Sequence, residues 1–215
     1  MAEKLDLSRV YKAEYVTPQM PVIVDVGPAK YLTLEGQGRP EGNARFEAAI
    51  GALYGMVYTI KMTRKAAGSD FKVMMLEGLW WSATGDRLMV DQALESWRWK
   101  LLIRVPDFIT AKDVRAAANE LRAKGKSPEF EEIKLETLKE KHCVQLLHVG
   151  PYSNVGPDIQ RMAEFARKYG MEQGGPHHEI YLSDPRRVAP ERLRTILRHP
   201  LRAASAPPKL QSAAV

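Results

Sequence analysis

Pro21-Val22-Ile23-Val24-Asp25-Val26-Gly27-Pro28-Ala29-Lys30-Tyr31-Leu32-Thr33-Leu34-Glu35 is the stretch on which the fold turns. It is rich in β-branched and aromatic residues on both sides of Gly27-Pro28, and reads as two strands and a tight turn. A Gly/Pro loop over 36–42 leads to Asn43, a helix cap, after which Phe46, Ile50, Leu53, Val57 and Ile60 recur at helical spacing. One helix over about 43–64 fits, although Gly51, Gly55 and the Val57-Tyr58-Thr59-Ile60 segment weaken it and leave a break near Gly55 open.

The same order returns downstream. Strands are expected over 131–138, where Ile133 and Leu135 alternate with charges, and over 142–149. Gly150-Pro151-Tyr152-Ser153 makes a loop, and Val155, Ile159, Met162, Phe165 and Tyr169 mark an amphipathic helix that stops at Gly170. A last strand over 178–182 precedes a short helix over about 190–197. Between the halves lie three strand candidates, 71–81, 87–90 and 97–105. In the third, Trp97, Trp99, Leu101 and Ile103 alternate with Arg98, Lys100, Leu102 and Arg104 as in a half-buried antiparallel strand. Thr110 and Asp113 open a helix that runs through Val114, Ala117 and Leu121 to Gly125. The fold class is therefore α+β: pseudo-repeats over about 21–105 and 130–200 form an antiparallel sheet with helices on one face and a cleft between the halves, the preferred place for a small-molecule site. Residues 1–20 read as an extension, and the Ala/Ser/Pro-rich tail, 203–215, is expected to be disordered.

Composition narrows the function. Apolar residues make up 45% of 215, enough for a core, yet no apolar run approaches the roughly 20 residues of a membrane span, and the N-terminus lacks a secretory apolar stretch. A cytoplasmic location is the default, with no membrane partner. The single cysteine, Cys143, excludes an internal disulfide and reads as an inert core residue. The net charge of +6 is concentrated late, in Arg186, Arg187, Arg192, Arg194, Arg198 and Arg202, which read as a solvated helical face. Without a recognition-helix pair, finger spacing or RNA-binding aromatic motif, no nucleic-acid partner is expected. The sequence leaves the oligomeric state open, a monomer included.

Candidate chemistry gathers in few places. The nucleotide, hydrolase-elbow and zinc-protease motifs are missing. In His177-His178-Glu179, a strand would put His177 and Glu179 on one face and His178 on the other, too few ligands for a metal, so neither metal nor cofactor is expected. Glu179 opens the apolar strand Ile180-Tyr181-Leu182, where desolvation would raise its pKa and suit it to a general base or a counter-ion. Aromatic rings near the loops, Tyr54, Tyr58, Trp80, Trp81, Tyr152 and Tyr181, together with Glu77, would line a cleft for aromatic or cationic small molecules. Adjacent tryptophans in a strand point to opposite faces, so only one of Trp80 and Trp81 can serve one pocket.

The blocks Ala52-Leu53-Tyr54-Gly55-Met56-Val57-Tyr58-Thr59-Ile60-Lys61, Met75-Leu76-Glu77-Gly78-Leu79-Trp80-Trp81, His177-His178-Glu179-Ile180-Tyr181-Leu182-Ser183-Asp184-Pro185-Arg186-Arg187 and Leu193-Arg194-Thr195-Ile196-Leu197-Arg198 together resemble the stand-alone GyrI-like proteins. The resemblance spans about 21–201 and implies two pseudo-repeated halves around a central ligand cleft. Relatives of this fold serve as effector-binding domains of regulators that sense lipophilic cationic drugs through a buried glutamate. The twenty residues before Pro21 are too few for the DNA-binding module of those regulators. Some stand-alone members are understood to be hydrolases that open the cyclopropane ring of cyclopropanoid alkylating natural products, a detoxification attributed to a glutamate and a tyrosine in an aromatic cleft. By motif the resemblance assigns Glu179 and Tyr152 to the chemistry, and Trp80 or Trp81 to the wall. A non-catalytic protein that sequesters lipophilic cations is the alternative. Gyrase inhibition, suggested by the family name, fits a basic chain of pI ≈ 9.4 poorly.

Overall fold

A computed structural model describes residues 4–82 and 97–204; the strand expected at 87–90 and nearly all of the tail lie outside the described residues. Among the described residues nine strands form one antiparallel sheet: β1 (Val22–Val26), β2 (Ala29–Gln37), β3 (Leu76–Ser82), β4 (Trp97–Val105), β5 (Lys134–Leu138), β6 (Lys141–Val149), β7 (Met171–Gln173), β8 (His177–Tyr181) and β9 (Arg194–Ala203). The order is β1-β6-β9-β8-β3-β4-β2-β5, with β7 paired to the end of β9.

This order carries the duplication. Gly27-Pro28 joins β1 to β2, yet the two strands do not pair; β1 pairs with β6 of the second half, and β5 pairs with β2 of the first. Each half thus donates its first strand to the far edge of the other. The pseudo-dyad passes between β3 and β8, through the pair Gly78–Glu179, and relates Glu77-Gly78-Leu79-Trp80 to His178-Glu179-Ile180-Tyr181.

The helices are α1 (Leu7–Val10), α2 (Lys12–Tyr15), α3 (Ala44–Ala66), α4 (Ala111–Ala123) and α5 (Gly156–Lys168). Asn43 caps α3 by accepting from the Phe46 amide, and the helix runs unbroken through Gly55, whose carbonyl accepts from the Thr59 hydroxyl. Its buried face, Ala49, Leu53, Met56, Val57 and Ile60, packs with Leu32 and Leu34 of β2 and Trp99, Leu101 and Ile103 of β4. Each such large apolar side chain contributes about 1.5–3 kcal/mol on burial. The Trp99 indole lies over Gly36, where a Cβ would come within 2.1 Å of the ring. On the same sheet face Met162 of α5 packs with Val144, Leu146 and Leu197. The Thr110–Asp113 capping box starts α4, which packs on α3.

The reading of 190–197 as a helix is corrected. Only Pro190–Arg192 form a 3-10 turn, Leu193 ends it, and from Arg194 the chain belongs to β9, a central strand whose two faces are both buried, so Leu193 and Leu197 mimic a helical spacing while Thr195, Leu197 and His199 alternate with Ile196 and Arg198. Arg198 accordingly leaves the solvated arginine group: it is 0% exposed.

The opposite sheet face is covered by the N-terminal segment. Arg104 of β4 pairs with Glu14 at 2.6 Å and stacks on Tyr11, and Tyr15 donates to Glu77 at 3.0 Å. The Gln145 amide donates to the Ala13 carbonyl and the Arg198 guanidinium to the Glu14 carbonyl. Beneath this strap His178 bridges Glu77 and Glu140, 2.9 Å from each, and Arg198 reaches Glu140 at 3.2 Å. Burial opposes charge here, but the Glu140 and Glu77 carboxylates bring the His178 ring up to about 9, and His178 with Arg198 holds Glu140 down to about 2.

Candidate functional site

α3 lies over β2 and β4 and α5 over β6, so the helix-side face of β3 and β8 forms the floor of a cleft between them. Strand periodicity decides which side chains reach it. Gly78 and Trp80 of β3 share that face with His177, Glu179 and Tyr181 of β8, flanked on β9 by Thr195, Leu197 and His199. Glu77, Trp81 and His178 point the other way.

Glu179 occupies the middle of the floor, 8% exposed. His177 Nε2 lies 3.0 Å from its Oε1, and the Tyr181 hydroxyl donates to its Oε2 at 2.8 Å. Tyr181 in turn accepts from Trp80 Nε1 at 3.1 Å, and His177 Nδ1 lies 2.7 Å from His199 Nε2. Desolvation, the largest influence, pushes the Glu179 carboxyl up, but the hydrogen bond and charge of His177 and the hydrogen bond of Tyr181 outweigh it, so the group sits below its ordinary value. This corrects the expectation of a raised pKa, which considered burial without the donors. Burial first, and Glu179 beside it, push the Tyr181 phenol well up; burial and the two neighbouring histidines hold His199 low, hence neutral.

Gly78 explains the close approach. A Cβ there would lie 2.8 Å from Trp80 Nε1 and 3.0 Å from the Tyr181 hydroxyl. Tyr152 stands at the cleft mouth on a 3-10 turn, its ring edge-on to Tyr181 at 5.7 Å. His148 fixes that turn, with Nδ1 2.8 Å from Asp158 and Nε2 3.2 Å from the Pro151 carbonyl. The Tyr152 hydroxyl has no hydrogen-bond partner among the described residues, and burial, then Glu179, push it up to about 12, so it keeps its proton as a donor.

The structure thus brings together Glu179, Tyr181, Trp80 and Tyr152. Tyr54 stacks on Tyr58 along α3, with Tyr58 exposed. Glu77 and Trp81 are not brought there: Glu77 is fully buried against His178 and Tyr15, and Trp81 packs with the group of Ala29, Tyr31, Leu79 and Leu102. Sequence reasoning missed His177 and His199 as parts of the Glu179 cluster. The period of two put His177 on the correct face, but nothing local pointed to His199 on a strand read as helix.

Residues 19–202 match the GyrI-like small molecule binding domain. The chain belongs to the GyrI-like family. A crystal structure of an uncharacterized conserved protein from Listeria innocua is similar to this GyrI-like chain at 35% identity and a TM-score of 0.85, covering 93% of this chain and 100% of that one. Two crystal structures of hydrolases from the same organism are 34% and 33% identical, with TM-scores of 0.82 and 0.84 and the same coverage. No curated protein matches. Among the described residues no GyrI-like helix is long and apolar enough to cross a membrane, and no group of three or more potential metal ligands occurs.

Proposed function

We propose that this GyrI-like protein is a hydrolase that opens the cyclopropane ring of cyclopropanoid alkylating natural products. The observation that carries the reading is the Glu179 carboxylate on the cleft floor, fixed by His177 and Tyr181 and bordered by Trp80 and Tyr152. Two hydrolases about one-third identical over their whole length support the reaction class.

A flat dienone would lie against the Trp80 and Tyr152 rings. Each Glu179 oxygen already accepts one hydrogen bond and keeps a lone pair for a water. That water's oxygen bonds to the cyclopropane carbon as the carbon–carbon bond breaks, and the bonding pair flows into the dienone carbonyl, leaving a phenolate. The water's proton passes through Glu179 to the phenolate, and Tyr152 donates to the developing oxyanion. Ring strain supplies much of the driving force, so positioning and oxyanion stabilisation suffice. Because its donors hold Glu179 low, it serves more by orienting water than by strong basicity.

Glu179→Gln is expected to lower kcat about 100-fold, or about 2.7 kcal/mol, with binding changed less than about threefold. Equal loss of both, followed by product mass spectrometry and calorimetry, rejects the role. A second reading, sequestration of lipophilic cations without turnover, draws on the same anionic Glu179; it requires tight binding with no product in either protein.

A further inference from the structure

Glu179 is not a lone charge. His177 Nε2 meets one of its oxygens at 3.0 Å, and the far nitrogen of the same ring meets His199 Nε2 at 2.7 Å. His177 and Glu179 are 6% and 8% exposed, so the pair is screened little by solvent. A carboxylate paired in this way with an imidazolium presents almost no net charge to a molecule in the cleft, whereas the same carboxylate beside a neutral imidazole presents a full negative charge.

We propose that His177 sets which molecules the cleft accepts: while its ring is charged the His177–Glu179 pair is neutral and the cleft takes neutral aromatic molecules, and once that proton is lost the cleft takes aromatic cations. His177 is therefore a specificity-determining residue, and the substrate class that fits the paired state is an uncharged aromatic electrophile. The inference deepens the hydrolase reading, since it shares the Glu179 cleft, and it also separates that reading from cation sequestration.

The surroundings leave the switch to this one ring. From β9 the group facing His177 is His199, held neutral by its burial and neighbours. From β3 it is the uncharged Trp80. On β8 itself Tyr181 remains a phenol. Glu179 also feels His148 from β6, a ring whose two nitrogens are taken by Asp158 of α5 and the Pro151 carbonyl, with Arg161 sharing Asp158. At the mouth, Tyr152 stays protonated, α3 supplies Tyr54, and Asp184 is matched by Arg186 at 2.9 Å. His178 belongs to the opposite face, closed between Glu77 and Glu140.

The test is a matched pair of probes that do not titrate: N-methylquinolinium and its uncharged isostere 1-methylnaphthalene. Their dissociation constants are measured by tryptophan quenching at about pH 5.5 and about pH 8.5, either side of the range in which histidine changes charge. In the wild type the preference for the cation is expected to rise about tenfold or more between the two. His177→Gln, which keeps an amide donor toward Glu179 without the charge, is expected to show the high-pH preference at both values. Glu179→Gln, which removes the negative charge whatever the state of His177, is expected to bind the cation more weakly than the wild type at both values, most of all at the higher one. A preference that stays flat in the wild type overturns the inference without recourse to any variant, as does a His177→Gln protein that follows the wild type, and so does failure of both probes to bind. Turnover of a cyclopropanoid substrate is assayed alongside. Turnover with a flat preference leaves the hydrolase reading and removes this one; a shifting preference without turnover does the reverse.

Discussion

Replacing Gly78 by alanine tests whether the Trp80–Tyr181–Glu179 chain is a single mechanical unit. The new methyl group would lie 2.8 Å from Trp80 Nε1 and 3.0 Å from the Tyr181 hydroxyl, against about 3.4–4 Å for ordinary contact. Both are parts of rings that are themselves packed, Trp80 against Phe46 and Trp97 at 5.8 and 5.9 Å and Tyr181 against Tyr152 at 5.7 Å. Relief therefore requires shifting a ring by about half an ångström, and overpacking of this kind costs about 1–3 kcal/mol. For a domain of this size about 2 kcal/mol lowers Tm by about 4–8 °C. The shift also separates Tyr181 from Glu179, a hydrogen bond to a charged group worth about 1.5–3 kcal/mol, so turnover should fall about 10- to 100-fold. Thermal unfolding, tryptophan fluorescence and turnover are read on one preparation. A Gly78→Ala protein with wild-type Tm, spectrum and activity would refute the argument, because the methyl group would then have found space that the structure denies it.

Other substitutions separate the two faces of the sheet. Trp80→Ala should abolish ligand quenching, whereas Trp81→Ala, half-buried on the opposite face, should lower stability by about 1.5–3 kcal/mol while leaving the dissociation constant within about threefold in the folded protein. His178→Leu leaves Glu77 buried without its cation and Glu140 with Arg198 alone, and should destabilise by about 3–5 kcal/mol in denaturant unfolding. The intact cluster gives the wild type a pH window. With His178 raised to about 9, its stabilisation is complete below about pH 6.5 and is lost as pH rises through about 9. With Glu140 lowered to about 2, its share is present above about pH 4.5 and is lost as pH falls toward about 2. Each limb is worth about 3 kcal/mol, and the two overlap because they report one interaction. Thermal scans across pH should therefore show a decline from about 6.5 to 9 that His178→Leu removes.

Much of the fold was legible because the periodicities were clean. The alternation from Trp97 to Val105 became β4, the spacing from Phe46 to Ile60 became α3, and the Thr110–Asp113 signal became the start of α4. The strand exchange was not legible: Gly27-Pro28 is a turn signal, and nothing local says that β1 pairs with β6, more than 100 residues away, instead of β2. Strand β9 was mistaken for a helix because a strand buried on both faces loses its period of two, and proline with spaced leucines imitates a helix start. In the site, Glu179 was singled out by motif, and alternation allowed only one of Trp80 and Trp81 into the cleft without choosing between them. Glu77 and Trp81 could have been separated from Trp80 by the same alternation. The donors that lower Glu179, His177 and Tyr181, flank it at the period of two on β8 itself, whereas His199 behind His177 becomes visible only when β8 and β9 are paired. The buried network under α1 and α2 is of the same kind, since Glu14, Arg104, Glu140 and Arg198 come from four separate segments.

The central claim is that Glu179 directs water onto a strained ring. Wild-type protein in about half-enriched H₂¹⁸O with a cyclopropanoid alkylating compound measures this directly by mass spectrometry of the ring-opened product. The account predicts many product molecules per protein, each carrying one solvent oxygen at the enrichment of the medium, and about 100-fold less from Glu179→Gln. Compound recovered intact, or product forming at the same rate with either protein, would contradict it.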